Sequence, residues 1–219
     1  ADVPVSVVMP AHHEDLEVMN RAVGSLLVQL PPESELIIVL SPEECGSLVG
    51  ADDRIRIMCA PEGKLNARNV GTEAARNEII VAVDADTVYP PGWIAAMVEP
   101  FSDPEVVGTT APSDFFGNPL IDAWLYAGYL AAASTKMSGR ASAFRKWAWE
   151  ATGRFDPGKE TSVEELIQEE EVDFKRRLET VGRVVLVNAP VEHLGGFGWG
   201  RGLRARIPER PVYGVPAQV

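Results

Sequence analysis

The chain lacks any apolar run near the roughly 20 residues that a bilayer-crossing helix needs, and it is short of positive charge and of cysteine. Lys and Arg number 20 against 32 Asp and Glu, a formal net charge of −12. That excludes the basic footprint of a general nucleic-acid binder. The two cysteines, Cys45 and Cys59, show no Cys-x-x-Cys spacing and have no histidine near them in sequence. A zinc site on them is not expected, and two reduced thiols are the first reading, with one disulfide as the other. The opening "VPVSVVMP" is too short for a signal peptide and runs into a polar loop, so a cytoplasmic location is expected. There is no internal repeat and no linker long enough to divide domains.

What is present suits a single core. The 219 residues are 46% hydrophobic, enough for one sizeable domain. Val5–Met9, Leu36–Leu40, Ile55–Met58 and Ile79–Val83 are short apolar runs with few polar interruptions, the pattern of strands buried on both faces. Leu16–Gln29 and Lys64–Ala75 carry helical periodicity, with Leu16, Met19, Val23, Leu26 and Leu27 on one stripe. Strand and helix alternation over the first ninety residues predicts a doubly wound α/β unit, whose ligands bind beyond the carboxyl ends of the strands. Further on, Trp93–Phe101 and Leu120–Thr135 read as helices, Ala141–Phe144 and Val184–Val187 as strands. In the acidic "TSVEELIQEEEVDFKRRLETVG", Ser162 with Glu165 fits a capping box, and Phe174, Leu178 and Val181 form an apolar stripe.

The segment "VAVDADTVYPPGW", residues 81 to 93, ends an apolar strand on Asp84-Ala85-Asp86 and turns through Pro90-Pro91-Gly92. Side chains i and i+2 of an extended segment point the same way, so both carboxylates reach one spot. A hard divalent cation, Mg²⁺ or Mn²⁺, held together with phosphate oxygens, would relieve their repulsion. A solvated turn capped by the two aspartates is the plainer alternative. Upstream, Lys64, Arg68 and Asn69 open a helix. A cationic helix start beside a metal suits a diphosphate. The adjacent His12 and His13 are expected to diverge, as neighbouring side chains of an extended loop do.

Four segments, "VSVVMPAHHE", "ARNVGTEAARNEIIVAVDADT", "SGRASAFRKWAWEATGRFD" and "EEEVDFKRRL", together resemble a family 2 glycosyltransferase of the GT-A fold, the inverting nucleotide-sugar enzymes. The resemblance covers roughly residues 3 to 195. It implies a Rossmann-like α/β domain over 1–195, with a mixed, mostly parallel sheet flanked by helices. Residues 1–90 would be the nucleotide-binding half and 91–195 the acceptor half. It further implies a nucleotide-diphosphate sugar donor, UDP being commonest in the family, and a Mn²⁺ or Mg²⁺ cofactor. Carried over residue by residue, Pro10, Ala11, His12 and Glu14 line the nucleotide loop. Asp84 with Ala85 contacts the nucleotide, Asp86 ligates the metal, and Lys64 and Arg68 serve the donor diphosphate. His193 follows the last strand, where several GT-A enzymes place a histidine that completes the metal site.

The family's Glu-Asp pair aligns with Glu170-Glu171, which makes Glu171 the general base, with Glu170 as the alternative. The base position here is Glu rather than the usual Asp. Where relatives carry an Asp that reads the nucleobase, at the end of the second strand, this chain has Leu40 and Ser41; Ser41 is the donor-binding candidate there. The processive Q-x-x-R-W signature is absent, so single additions are expected, to a glycan, lipid-linked or small-molecule acceptor. The Gly/Arg/Pro-rich 196–219 is expected to be a mobile tail or lid, with Trp199 as its latch. Its Arg201, Arg204, Arg206 and Arg210 would meet a lipid-phosphate carrier or a membrane surface. Two other readings are a nucleotidyltransferase, though "PAHHED" lacks its glycine-rich basic loop, and a nucleotide-sugar-binding protein with weak catalysis.

Overall fold

The computed structural model describes residues 3–50, 52–112, 127–128, 130–131, 133–160 and 168–194, and the backbone of 213–214. Strand β1 (Val5–Ala11) leads to α1 (Leu16–Leu27), β2 (Glu35–Leu40), β3 (Val49–Gly50) and β4 (Ile55–Cys59). Helix α2 (Lys64–Ala74) then precedes β5 (Ile79–Val83), β6 (Thr87–Val88) and α3 (Trp93–Val98). The second half runs β7 (Val106–Thr110), β8 (Ala141–Arg145), α4 (Lys146–Ala151), α5 (Glu169–Leu178), β9 (Arg183–Leu186) and β10 (Glu192–His193). A last short strand, β11 (Tyr213–Gly214), pairs with β3.

Seven strands form one sheet in the order β4-β2-β1-β5-β8-β7-β9. β4, β2, β1 and β5 are mutually parallel; β8 runs antiparallel between β5 and β7, and β7 pairs parallel with β9. The expected mixed, mostly parallel sheet is present. Its apolar runs separate residues between two cores. Val5, Val7 and Met9 of β1 face α1 and α3, through Met19, Val23, Leu26, Trp93 and Met97. Val8 faces the other core, with Leu65 of α2, Trp149 of α4, and Phe174 and Leu178 of α5. Helix α2 lies close because Gly71 has no side chain: a Cβ there would come within 2.5 Å of Val8. That approach sets the start of α2 above the strand ends.

Several local expectations are corrected. Strand β7 has no clear signature, since Gly108 interrupts "VVGTT" and the register to β9 shifts between Val106 and Gly108. The helix expected over Trp93–Phe101 ends at Val98 and continues as a 3₁₀ turn, Glu99–Ser102; Pro100 within it has no N–H to donate. Leu16 is exposed, and Val181 lies beyond the end of α5 and is exposed too. Cys45 and Cys59 are not free thiols: they form a disulfide, with Cα atoms 5.9 Å apart, tying the loop after β2 to the end of β4. The described parts of 127–135 are helical. The Ser162/Glu165 capping box and the 196–212 stretch of the tail lie outside the described residues. No helix among the described residues is long and apolar enough to cross a membrane.

Candidate active site

The carboxyl ends of β1, β2 and β5 lie side by side, and the polar residues expected there converge. Asp84 follows β5 directly. Its Oδ1 accepts a hydrogen bond from Nη2 of Arg68 at 2.9 Å, and its Oδ2 lies 3.5 Å from Lys64 Nζ and 3.4 Å from Arg140 Nε. Burial opposes the charge on Asp84, but the three cations outweigh it and hold the carboxyl far below its ordinary range. Beneath it, the buried Tyr89 hydroxyl accepts the Asp84 N–H at 2.9 Å and donates to the Arg140 carbonyl at 3.0 Å. The Asp-Ala-Asp turn, with Ala85 buried inside it, is thereby pinned to the segment before β8.

Asp86 has a different partner. β10 pairs antiparallel with β6, placing His193 opposite Thr87, and the Leu194 N–H donates to the Asp86 carbonyl at 2.7 Å. His193 Nε2 therefore comes within 2.9 Å of Asp86 Oδ2. Burial pushes the Asp86 carboxyl up, but the hydrogen bond to His193 leaves it below its usual range, against the repulsion of Asp84. Glu14, on the loop after β1, is pushed up by burial and then by the charges of Asp86, Asp84 and Glu44, with His193 opposing. Carboxylates crowding one another beside an imidazole suit a divalent cation. Asp86 with His193 is a donor pair that fits Mn²⁺.

Arg68 and the start of α2 differ from expectation. Arg68 sits in the second turn of α2, with 2% of its side chain exposed, and its guanidinium is directed to Asp84. It holds Asp84 from below rather than presenting charge at the surface. The first N–H groups of α2 are also taken. Glu160 accepts from Lys64 N at 2.8 Å and from Leu65 N at 3.1 Å, so the contribution of Lys64 comes through its side chain.

The segment 136–140 joins this cluster to the acidic motif. Arg140 faces Asp84, while the Gly139 N–H donates to Glu171 Oε1 at 2.5 Å and Lys136 Nζ lies 2.8 Å from Glu171 Oε2. The Lys136 contact lacks hydrogen-bond angles and is an ion pair only. Glu170 and Glu171 both lie buried in the first turn of α5, each 6% exposed. A water-sized cavity between them and Arg68 is lined by Leu65, Ala82, Gly139, Ser142 and Phe174. Sequence reading missed Arg140, Lys136 and Glu160. Arg140 stands in the "SGRAS" stretch, which was the available signal.

On the other side, Pro10 and Ala11 end β1 in register with Val39 and Leu40 of β2. Ser41 donates its hydroxyl to Glu44 Oε2 at 2.8 Å, and Glu44 also accepts the His13 N–H at 3.0 and 3.1 Å. His12 and His13 do not diverge: their ring centroids are 4.1 Å apart. His13 has φ of 54°, a left-handed kink that places neighbouring side chains together.

Residues 6–128, more than half of the chain, match the model of Glycosyl transferase family 2. The chain belongs to glycosyl transferase family 2. An uncharacterized glycosyltransferase of Nostoc sp. is 33% identical over 98 residues, 41% of this chain and 30% of that protein. Among solved structures, GalNAc-T7 with UDP, GalNAc and Mn²⁺ matches with a TM-score of 0.65 and 16% identity, over 90% of this chain and 45% of that one. The mannosyltransferase PcManGT from Pyrobaculum calidifontis, in complex with GDP-Man and Mn²⁺, matches with a TM-score of 0.66 and 16% identity, over 89% and 58%. These likenesses show the GT-A fold. The family 2 chain spans less than two thirds of the length of each of these relatives. Membership sets the nucleotidyltransferase reading aside.

Proposed function

We propose that this family 2 chain moves a sugar, with inversion and one unit at a time, from a nucleoside diphosphate donor to an acceptor hydroxyl. The observation that carries the reading is the division of labour at the end of β5. Asp84 is ringed by Lys64, Arg68 and Arg140, while Asp86 is free of those direct contacts and faces His193. Asp86 and His193 would hold Mn²⁺ or Mg²⁺, which supplies countercharge to the departing diphosphate. Lys64 and Arg140 add positive charge at the same place, and Arg68 acts through Asp84. Asp84, kept ionised, accepts hydrogen bonds from nucleotide hydroxyls. The rim of Ala11 and Glu14, with Ser41 opposite, receives the nucleoside. UDP is the favoured donor on family frequency; the two solved relatives are complexes with UDP and with GDP-Man.

Glu171 is the proposed base, with Glu170 as its alternative. It takes the acceptor hydroxyl proton as that oxygen bonds to the anomeric carbon, on the face opposite the bond to diphosphate that breaks. For this the ion pair of Lys136 with Glu171 has to open. The same engagement of both Glu171 oxygens favours one second reading, a nucleotide-sugar-binding protein with little turnover. A thermal-shift panel of nucleotide-diphosphate sugars, with and without Mn²⁺, tests the donor assignment through ligand-linked stability. One donor is expected to raise the melting temperature, and only with the metal present. No shift for any donor would remove the proposal. A shift without hydrolysis or transfer would leave the binding protein.

A further inference from the structure

We infer that His12, His13 and Glu44 form a second divalent-cation site, for an ion of the Zn²⁺ class, separate from Asp86 and His193. Among the described residues, these three side chains offer one ligand atom each, all within 4.8 Å of one another. His12 Nδ1 lies 3.8 Å from Glu44 Oε2, and His13 Nδ1 lies 3.8 Å from Glu44 Oε1. Ligand atoms around a tetrahedral Zn²⁺ at about 2.0–2.1 Å stand about 3.3 Å apart. Closing the gap needs only a rotamer-scale adjustment, and both imidazoles are exposed and able to make it.

The cluster is organised by the fold. The left-handed backbone of His13 brings two consecutive rings to one side. Glu44 is oriented by the His13 N–H and the Ser41 hydroxyl, the kind of support that fixes a ligating carboxylate. Oε2 accepts both the Ser41 hydroxyl and the His13 N–H, whereas Oε1 accepts the His13 N–H alone, so Oε1 keeps a lone pair for a metal. The Cys45–Cys59 disulfide anchors the turn that carries Glu44 to β4. Two imidazoles with one carboxylate favour Zn²⁺ over Mg²⁺, which prefers oxygen ligands and water. The ion would bridge the loops after β1 and β2 and keep an open position for water.

The test is calorimetric titration of Zn²⁺ into the tag-free full chain, compared with Asp86→Asn and with the double variant His12→Ala/His13→Ala. Wild type and Asp86→Asn are expected to bind one Zn²⁺ at this site with matching affinity. The double variant is expected to lose that event, an affinity drop of about 100-fold or more, given that even outer-shell losses reach 10–100-fold. The changed side chains are exposed, and unchanged circular dichroism confirms that the fold persists. Three results overturn the site: no Zn²⁺ binding by wild type at micromolar concentration, equal binding by wild type and the double variant, or loss of all binding in Asp86→Asn.

Discussion

The guanidinium of Arg68 lies so close over Gly139 that a Cβ on residue 139 would stand 2.3 Å from Nη2 and 2.4 Å from Nη1. The same glycine's N–H holds Glu171, and the same guanidinium holds Asp84. One backbone position thus couples the donor side of the cleft to the acidic motif. Gly139→Ala is expected to destabilise by about 1–3 kcal/mol, the usual cost of overpacking, because the buried guanidinium can give way only by disturbing its bond to Asp84. Chemical denaturation measures the loss. An unchanged midpoint would mean that Arg68 moves freely and that the coupling is absent.

Glu14 yields a pH-dependent prediction. Its carboxyl is raised above the ordinary value by burial and by Asp86, Asp84 and Glu44. Between the unfolded pKa of about 4.3 and the higher folded one, the folded state binds more protons than the unfolded. Stability therefore falls as pH rises through that window. Glu14→Gln removes the cost, so at pH 7 the metal-free variant should melt above wild type, and the difference should vanish near pH 3. Mn²⁺ should shrink the neutral-pH difference by relieving the same crowding. Equal melting temperatures at pH 7 would contradict the electrostatic account.

Asp86→Ala should abolish Mn²⁺-dependent donor binding with the fold intact, since Asp86 and His193 supply the metal donors while the packing beneath them comes from Tyr89 and Trp93. Donor affinity is the measurement, with and without the ion. A variant that keeps the full Mn²⁺ effect would move the metal elsewhere.

Glu171→Gln preserves size and the bond from Gly139 but cannot take a proton. Donor and metal should still bind, while turnover falls by about 10²–10⁴-fold, the contribution of general base catalysis. Glu170→Gln is the matched control and should lose much less. The reverse pattern shifts the base by one residue; full activity in both places it outside the motif.

The disulfide is open to direct chemistry. Thiol titration of the denatured, unreduced chain should find no free thiol. Reduction should cost about 2–3 kcal/mol, the scale for closing a loop of this length, across a sequence separation of 14. Two reactive thiols in the untreated chain would refute the pairing.

The parallel half of the sheet was legible from sequence. Val5–Met9, Leu36–Leu40 and Ile79–Val83 are buried on both faces, and that burial demands apolar residues at consecutive positions, which is a local pattern. Asp84 and Asp86 could be placed for the same reason, because the strand before them announces its own end. Strand β7 could not: a glycine and a bulge erase the alternation, and only pairing with β8 and β9 makes it a strand. Nor does any local pattern say which charges meet. Arg68 reads as a diphosphate contact at a helix start, yet Gly71 draws α2 down onto Val8 and Gly139 leaves room above, so the guanidinium is buried on Asp84. His12 and His13 face together because one residue adopts a left-handed φ, and Cys45 meets Cys59 because β2 and β4 are neighbours. Sequence determines where the chain must be buried, since hydrophobicity is a property of each residue. Tertiary structure decides which polar groups share a buried site, since that depends on distances between elements remote in the chain.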